Sequence, residues 1–153
     1  MEPFLQEYLK RLEALHNDVK AVLAGLPQAG LDWSPGVEMN SLGVLAVHIA
    51  GAETYWSSDV ITGRPSGRDR EAEFRSMGLD EAALGERLER SLAQVQQNLE
   101  QLQLVDAAAQ RRVPSDGRIV TLGWALSHLL SHTALHLGQM QLTRQLWEQR
   151  SGL

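Results

Sequence analysis

The stretch Thr121-Leu-Gly-Trp-Ala-Leu-Ser-His128-Leu-Leu-Ser-His132-Thr-Ala-Leu-His136-Leu-Gly138-Gln139-Met140 carries three of the five histidines at strict i, i+4, i+8 spacing. On an α-helix such positions share one face, drifting only about 40° per step because four residues overshoot one turn. His48 has a matching address. It ends Ser41-Leu-Gly-Val-Leu-Ala-Val-His48, which repeats the pattern Ser/Thr-Leu-Gly-four residues-His of Thr121 to His128. Two helices of like design thus each carry imidazole on an otherwise apolar face, as a metal site between bundle helices requires.

The helix holding the three histidines is expected from Thr121, a fair N-cap, to about Trp147, and its Leu122, Leu126, Leu129, Leu130, Leu137, Met140 and Leu146 make it broadly apolar. The helix holding His48 is expected from an N-cap at Asn40 or Ser41 to about Ile61, before Gly63. His48 shares its face with Val44, Ala52 and Tyr55, whereas Glu53 lies about 140° away and is a poor candidate ligand beside it. Two scaffold helices complete the pattern. One runs from about Pro3 to Gly25, with Leu5, Tyr8, Leu12, Leu15, Val19, Val22 and Leu26 at spacings of three and four. The other runs from Asp80 to about Val105, with Leu84, Leu88, Leu92, Val95, Leu99 and Leu102 on a narrow stripe and no chemistry expected on its inner face.

The connections 62–78 and 106–120 are long for helical hairpins and fit a bundle in which some neighbours run parallel. Arg118-Ile119-Val120 is expected to be extended. The fold class is therefore all-α, a four-helix bundle with two long connections, forming one domain over residues 1–153. Trp33 is expected to plug one bundle end, and Trp56, Trp124 and Trp147 to pack in the core or at its ends, Trp56 or Trp124 with a smaller chance of lining a substrate pocket.

Composition excludes several classes. With no cysteine there is no disulfide and no thiolate ligand, so a soft-metal site must use imidazole and thiol chemistry must come from a bound thiol. The net charge of −5 disfavours nucleic-acid binding, which draws its affinity from clustered Lys and Arg. Arg64, Arg68, Arg70 and Arg75 are interleaved with acids and read as a solvated loop. The N-terminus resembles no signal peptide and no run reaches membrane-spanning length, so a cytoplasmic protein is expected.

Two histidines one turn apart can reach one ion, and a third from a facing helix leaves positions open for water or substrate. Spacing alone does not choose between His128 with His132 and His132 with His136. His48 lies roughly 12 Å from the start of its helix. Parallel helices would set His128 level with it, and antiparallel helices His136.

The combination of Asn40-Ser-Leu-Gly, His48, Ala52-Glu53 and Trp56 with Thr121-Leu-Gly, His128 and His132-Thr-Ala-Leu-His136-Leu-Gly138-Gln139 resembles the DinB/YfiT-like superfamily. The resemblance extends over the whole chain in helix order, and its specific part lies in the two histidine helices. It implies that those helices are antiparallel, that the metal ligands are His48, His132 and His136, and that the protein is a homodimer. It also implies a thiol-dependent reaction: transfer of bacillithiol, mycothiol or glutathione to a small-molecule electrophile, or a related hydrolysis or isomerisation. Leu137 stands where members often have Arg, so substrate preference is not carried over.

A divalent ion, zinc or nickel by ligand type with iron or manganese also compatible, would lower the pKa of a bound thiol or water. Tyr55 and His128, each about one turn from a ligand, are the nearest candidates for proton-transfer or supporting roles. The competing reading is non-catalytic: a bundle binding metal or a small ligand for stress sensing or storage, or an interaction module whose histidines merely pack. His128 alone reads as structural or as a residue at the site mouth. His16, in Glu13-Ala-Leu-His16, matches half of a di-iron motif but reads as part of a solvated face. Gly138 is expected to permit close helix packing, and Gln139 to bond to a neighbouring helix.

Overall fold

The computed structural model describes residues 1–152. Helix α1 spans Pro3–Leu23, with Pro3 in the first turn, where its missing N–H costs nothing. Gly25 follows at φ 71°, a conformation that favours glycine. A short α2 (Gln28–Leu31) leads to α3 (Leu42–Tyr55), whose N-cap Ser41 accepts from the Val44 N–H. The chain then continues as a π-helical segment, Trp56–Thr62, ending at Gly63 in the left-handed region. After α4 (Arg70–Phe74) comes α5 (Glu81–Leu99), capped by Asp80 through the Ala83 N–H. A 3-10 turn, Leu104–Ala108, precedes an antiparallel ribbon of β1 (Gln110–Arg112) and β2 (Ile119–Thr121). Helix α6 (Leu122–Ser151) closes the fold, with Thr121 accepting from the Trp124 N–H.

Side-chain contacts fix the directions of the four long helices. Going along α3, His48 meets His136 and His132, and Trp56 meets His128 and Trp124, so α3 and α6 are antiparallel. Tyr8 donates to the Leu126 carbonyl, and Arg144 donates to the carbonyls of Ala21, Val22 and Ala24, so α1 and α6 run parallel. Arg144 thereby places positive charge on the carbonyl end of α1, where the helix dipole favours it. Glu53 with Ser91, and Ser57 with Asn98, set α3 parallel to α5. These parallel neighbours are what the long connections allow.

Two apolar clusters make the core. Leu12, Trp56, Val95 and Leu129 belong to one, and Leu15, Ile49, Leu88 and Met140 to the other. Between them lies a polar layer with one residue from each long helix. Glu53 of α3, 1% exposed, takes His16 Nε2 of α1 at 2.8 and 2.9 Å, Ser91 Oγ of α5 at 2.9 Å and Thr133 Oγ1 of α6 at 2.8 Å. A carboxylate this deep must fill its lone pairs with donors, and three helices supply them. Burial, helped by the Glu53 charge, pushes the Tyr8 phenol up.

Several expectations are corrected by this arrangement. His16 is buried against Glu53 rather than on a solvated face, because its partner comes from another helix. The inner face of α5 is not purely apolar: Ser91 reaches Glu53, and Asn98 donates to Ser57 and Ser58, tying down the π-helical segment. That helix ends at Leu99 rather than Val105, since Gln101 and Leu102 bond back to Asn98 and Leu99 and break the helical ladder. The connection 62–78 contains α4, capped by Asp69 through the Ala72 N–H. Helix α6 passes Trp147 to Ser151, and Leu135 and Leu142 on it are exposed. No heavy atom of another segment lies near a Cβ built at Gly138, so it permits no close approach there. Trp33 packs on Trp147 with ring centroids 5.7 Å apart, closing one bundle end.

Candidate metal centre

The site is held between the middle of α3 and the middle of α6. His48 Nε2 lies 3.2 Å from His132 Nε2, which in turn lies 3.1 Å from His136 Nε2. One nitrogen from each of the three falls within 4.8 Å of the others, and the group could hold a metal ion. Antiparallel packing selects His136, not His128, to stand level with His48.

The proton inventory of these rings fits a cation. His48 Nδ1 lies 2.9 Å from Glu73 Oε2, so the hydrogen sits on Nδ1 and the Nε2 lone pair faces inward. His136 Nδ1 lies 2.7 Å from Gln139 Oε1, with the same consequence. Gln139 therefore serves its own helix, not a neighbouring one. His132 Nε2 stands between these two lone pairs and can donate to only one of them. The other contact is left with nitrogen facing nitrogen. A cation at the meeting point satisfies all three lone pairs. Burial, with the neighbouring His136 and His48 adding to it, holds His132 down to about 3. His136 is also lowered, mainly by burial. Both rings are neutral near pH 7.

The carboxylate behind His48 carried no recognisable motif in the sequence. Glu73 comes from α4, inside the connection read as a solvated loop, and Arg68 from the same connection clamps it: Nε to Oε1 at 2.5 Å and Nη2 to Oε2 at 2.8 Å. Burial alone would raise the Glu73 carboxyl, but the hydrogen bonds from Arg68 and His48 outweigh it and leave it below the usual range. Gly51 is needed here. A Cβ at this position would overlap the Glu73 carboxylate. A carboxylate accepting from a ligand imidazole fixes its tautomer and raises its basicity. Glu73→Ala is expected to weaken zinc affinity by about 10- to 100-fold. Chelator competition measures this, and an unchanged Kd would remove Glu73 from the site.

Beside the histidines lies a cavity of about 510 Å³ whose lining includes His48, His132, Tyr55, Trp56, Arg68 and Ser115. The Tyr55 hydroxyl donates to Ser115 Oγ and accepts from the Ser115 N–H, both at 3.0 Å. It therefore ties α3 to the turn between the two strands. His128 is not among the converging three. Its ring stacks on Trp124 at 4.9 Å and 8° and lies 5.6 Å from His132. Burial, with Arg118 nearby, lowers its pKa.

These shifts have one sign. His128, His132 and His136 are depressed below 6.5, so the unfolded chain takes up protons that the folded chain refuses. Their contribution is present above 6.5 and is lost as pH falls from there toward the folded values. Glu73, also depressed, contributes above 4.5 and adds its loss only below that value. Urea midpoints of chelator-treated protein are expected to hold between about pH 7.5 and 8 and to fall steadily by pH 5. A midpoint that rises on acidification would contradict the burial of neutral imidazoles.

Comparisons with known proteins bear on the family and the fold. A family model described as Mycothiol-S-transferase matches residues 5–149. No curated protein matches the sequence. Among solved structures, a conserved protein from Enterococcus faecalis superposes with a TM-score of 0.79 at 17% identity, covering 95% of this chain and 98% of that one. A DinB-like protein from Bacillus cereus gives 0.73 at 17% identity, with 97% and 93% covered. A mutant of the mycothiol-dependent maleylpyruvate isomerase gives 0.67 at 17% identity, with 92% of this chain and 63% of that one covered. At these identities the structural likeness speaks for the fold.

Proposed function

Since the chain belongs to the mycothiol S-transferase family, we propose that it is a metal-dependent enzyme that transfers a low-molecular-weight thiol, mycothiol first, onto a small-molecule electrophile. The observation that carries this reading is the convergence of three imidazole lone pairs beside an open cavity. In this proposal His48, His132 and His136 hold the ion, zinc or nickel by preference, with iron or manganese compatible with the same donors. A divalent ion held there supplies the charge that lowers the pKa of a thiol and favours its thiolate.

The chain's own residues do the rest. Glu73, held by Arg68, keeps the proton of His48 on Nδ1. Neutral His128, beside His132, takes the proton that leaves the thiol. The sulfur then forms the new S–C bond as the C–halogen bond of an aryl halide or a C–O bond of an epoxide breaks. The halide and the His128 proton leave to solvent, or the epoxide's alkoxide takes that proton back from His128. Tyr55 lines the cavity and orients the electrophile through its hydroxyl once the Ser115 contact yields. Because the chain has no cysteine, the attacking sulfur belongs to the bound thiol.

Leu137, where relatives often carry Arg, is buried in the core and offers the substrate no charge. No described helix is long and apolar enough to cross a membrane; action in the cytoplasm is part of the proposal. The resemblance also supports a homodimer, whose apolar contact the exposed Leu135 and Leu142 would supply. The test is product formation from mycothiol and an aryl halide or epoxide by zinc- or nickel-loaded protein. Turnover should need both thiol and metal. Turnover of esters or amides without thiol would favour a hydrolase, and no turnover by loaded protein would favour a binding role.

A further inference from the structure

A second cavity, about 690 Å³, lies on the other flank of α3, between it, α4 and α5. It exists because α3 presents Val47, Ala50, Gly51 and Thr54 there, all too small to fill the space. The opposite wall comes from α5, whose Arg87, Arg90 and Gln94 sit at i, i+3 and i+7 and so form one stripe.

The hydrogen-bonding needs of the lining are largely met from within. Thr54 donates to the Ala50 carbonyl, Ser76 to Ala72, Ser91 to Glu53, and Gln94 to Asn98. Of the two acidic groups, Asp69 caps α4 and Glu73 is taken by Arg68 and His48. Arg87, Arg90 and the hydroxyl of Ser66, buried and unpartnered among the described residues, remain. Among the described residues neither arginine is in an ion pair, although each carries five N–H donors in a fixed fork. The cavity therefore has unused donors of one charge above a floor of small side chains.

We propose that this groove binds a small polyanion bearing carboxylate or phosphate groups, gripped by Arg87 and Arg90 from α5. Paired guanidinium forks at helical spacing match the oxygen pairs of such groups, and the shallow floor leaves room for a compact carbon skeleton. Glu73 lines this groove and also bonds His48, so the anion sits behind the histidine cluster, not on it. The proposal does not depend on the thiol-transfer reading.

The test titrates inorganic phosphate and, separately, tricarballylate into the full-length protein at 0.15 M salt, where loose surface attraction is largely screened. At least one probe should bind one to one, with Kd below about 1 mM, and shift the amide signals of Arg87 to Gln94. Phosphate alone would identify phosphate esters, and tricarballylate alone polycarboxylates. The double variant Arg87→Gln/Arg90→Gln, both exposed positions, should weaken binding about tenfold or more. Arg90→Lys should lose part of the affinity, since it keeps the charge without the fork. His132→Ala should bind as the parent does. Failure of both probes to saturate by roughly 10 mM would overturn the proposal. So would unchanged binding by the double variant, or loss of binding in His132→Ala, which would place the anion at the histidines.

Discussion

Glu53→Ala is expected to lower the unfolding free energy of the metal-free protein by about 3–5 kcal/mol. The carboxylate is the common acceptor for His16, Ser91 and Thr133, each from a different helix, at the level where the two apolar clusters meet. Alanine removes the acceptor and strands His16 and Thr133 in a dry core, where each unpaired polar group costs about 1–3 kcal/mol, while Ser91 keeps the Leu88 carbonyl. Removing both ends of the pair is different. His16→Leu/Glu53→Leu replaces the buried pair with apolar volume, and such replacements are often close to neutral. The double variant should recover the share due to His16, with Thr133 still lacking its acceptor. Urea unfolding with an unchanged m-value provides the measurement. A loss below about 1 kcal/mol for Glu53→Ala would mean that the polar layer contributes little to holding the helices in register.

His48→Ala should abolish tight zinc or nickel binding and reduce thiol-transfer kcat/KM by about 10³-fold or more, the scale of losing several kcal/mol of charge stabilisation. The variant removes the one ligand supplied by α3, leaving two neighbours on α6 that cannot close a three-nitrogen site. Its helices should persist, because the ring fills little of either apolar cluster and Ser41 still caps α3. Circular dichroism close to the parent, with metal absent, is the expected pair of results. If the histidines merely packed, the parent would hold no metal either, and the substitution would change stability alone.

Much of this architecture is legible locally. Ser41, Asp80 and Thr121 each mark a helix start by a side chain that accepts from the backbone three residues on, and all three do so in the structure. The four-residue spacing of His132 and His136 likewise makes them neighbours wherever the helix lies. What was illegible depends on residues far apart in the chain. His16 and Glu53 are 37 positions apart, and the local spacing of Glu13 with His16 pointed elsewhere. Glu73 reaches His48 across 25 positions, from a connection whose Arg and Gly content suggested solvent. Ser91 and Asn98 are two polar side chains beside an otherwise apolar stripe, and only a buried partner explains them. Gly51 does have the Glu73 carboxylate packed against it, whereas Gly138, also inside a helix, has nothing close, so a helical glycine alone does not point to such a contact.

The central claim is that His48, His132 and His136 hold a divalent ion, and elemental analysis tests it most directly. Protein prepared without a His-tag or chelator, with the His132→Ala variant beside it, is measured as purified and again after exposure to zinc, nickel and manganese. His132 stands between the other two nitrogens, so its loss should empty the site. The account predicts about one equivalent of metal in the parent and little in the variant. No metal in either, even after loading, would contradict it and return the three histidines to the core.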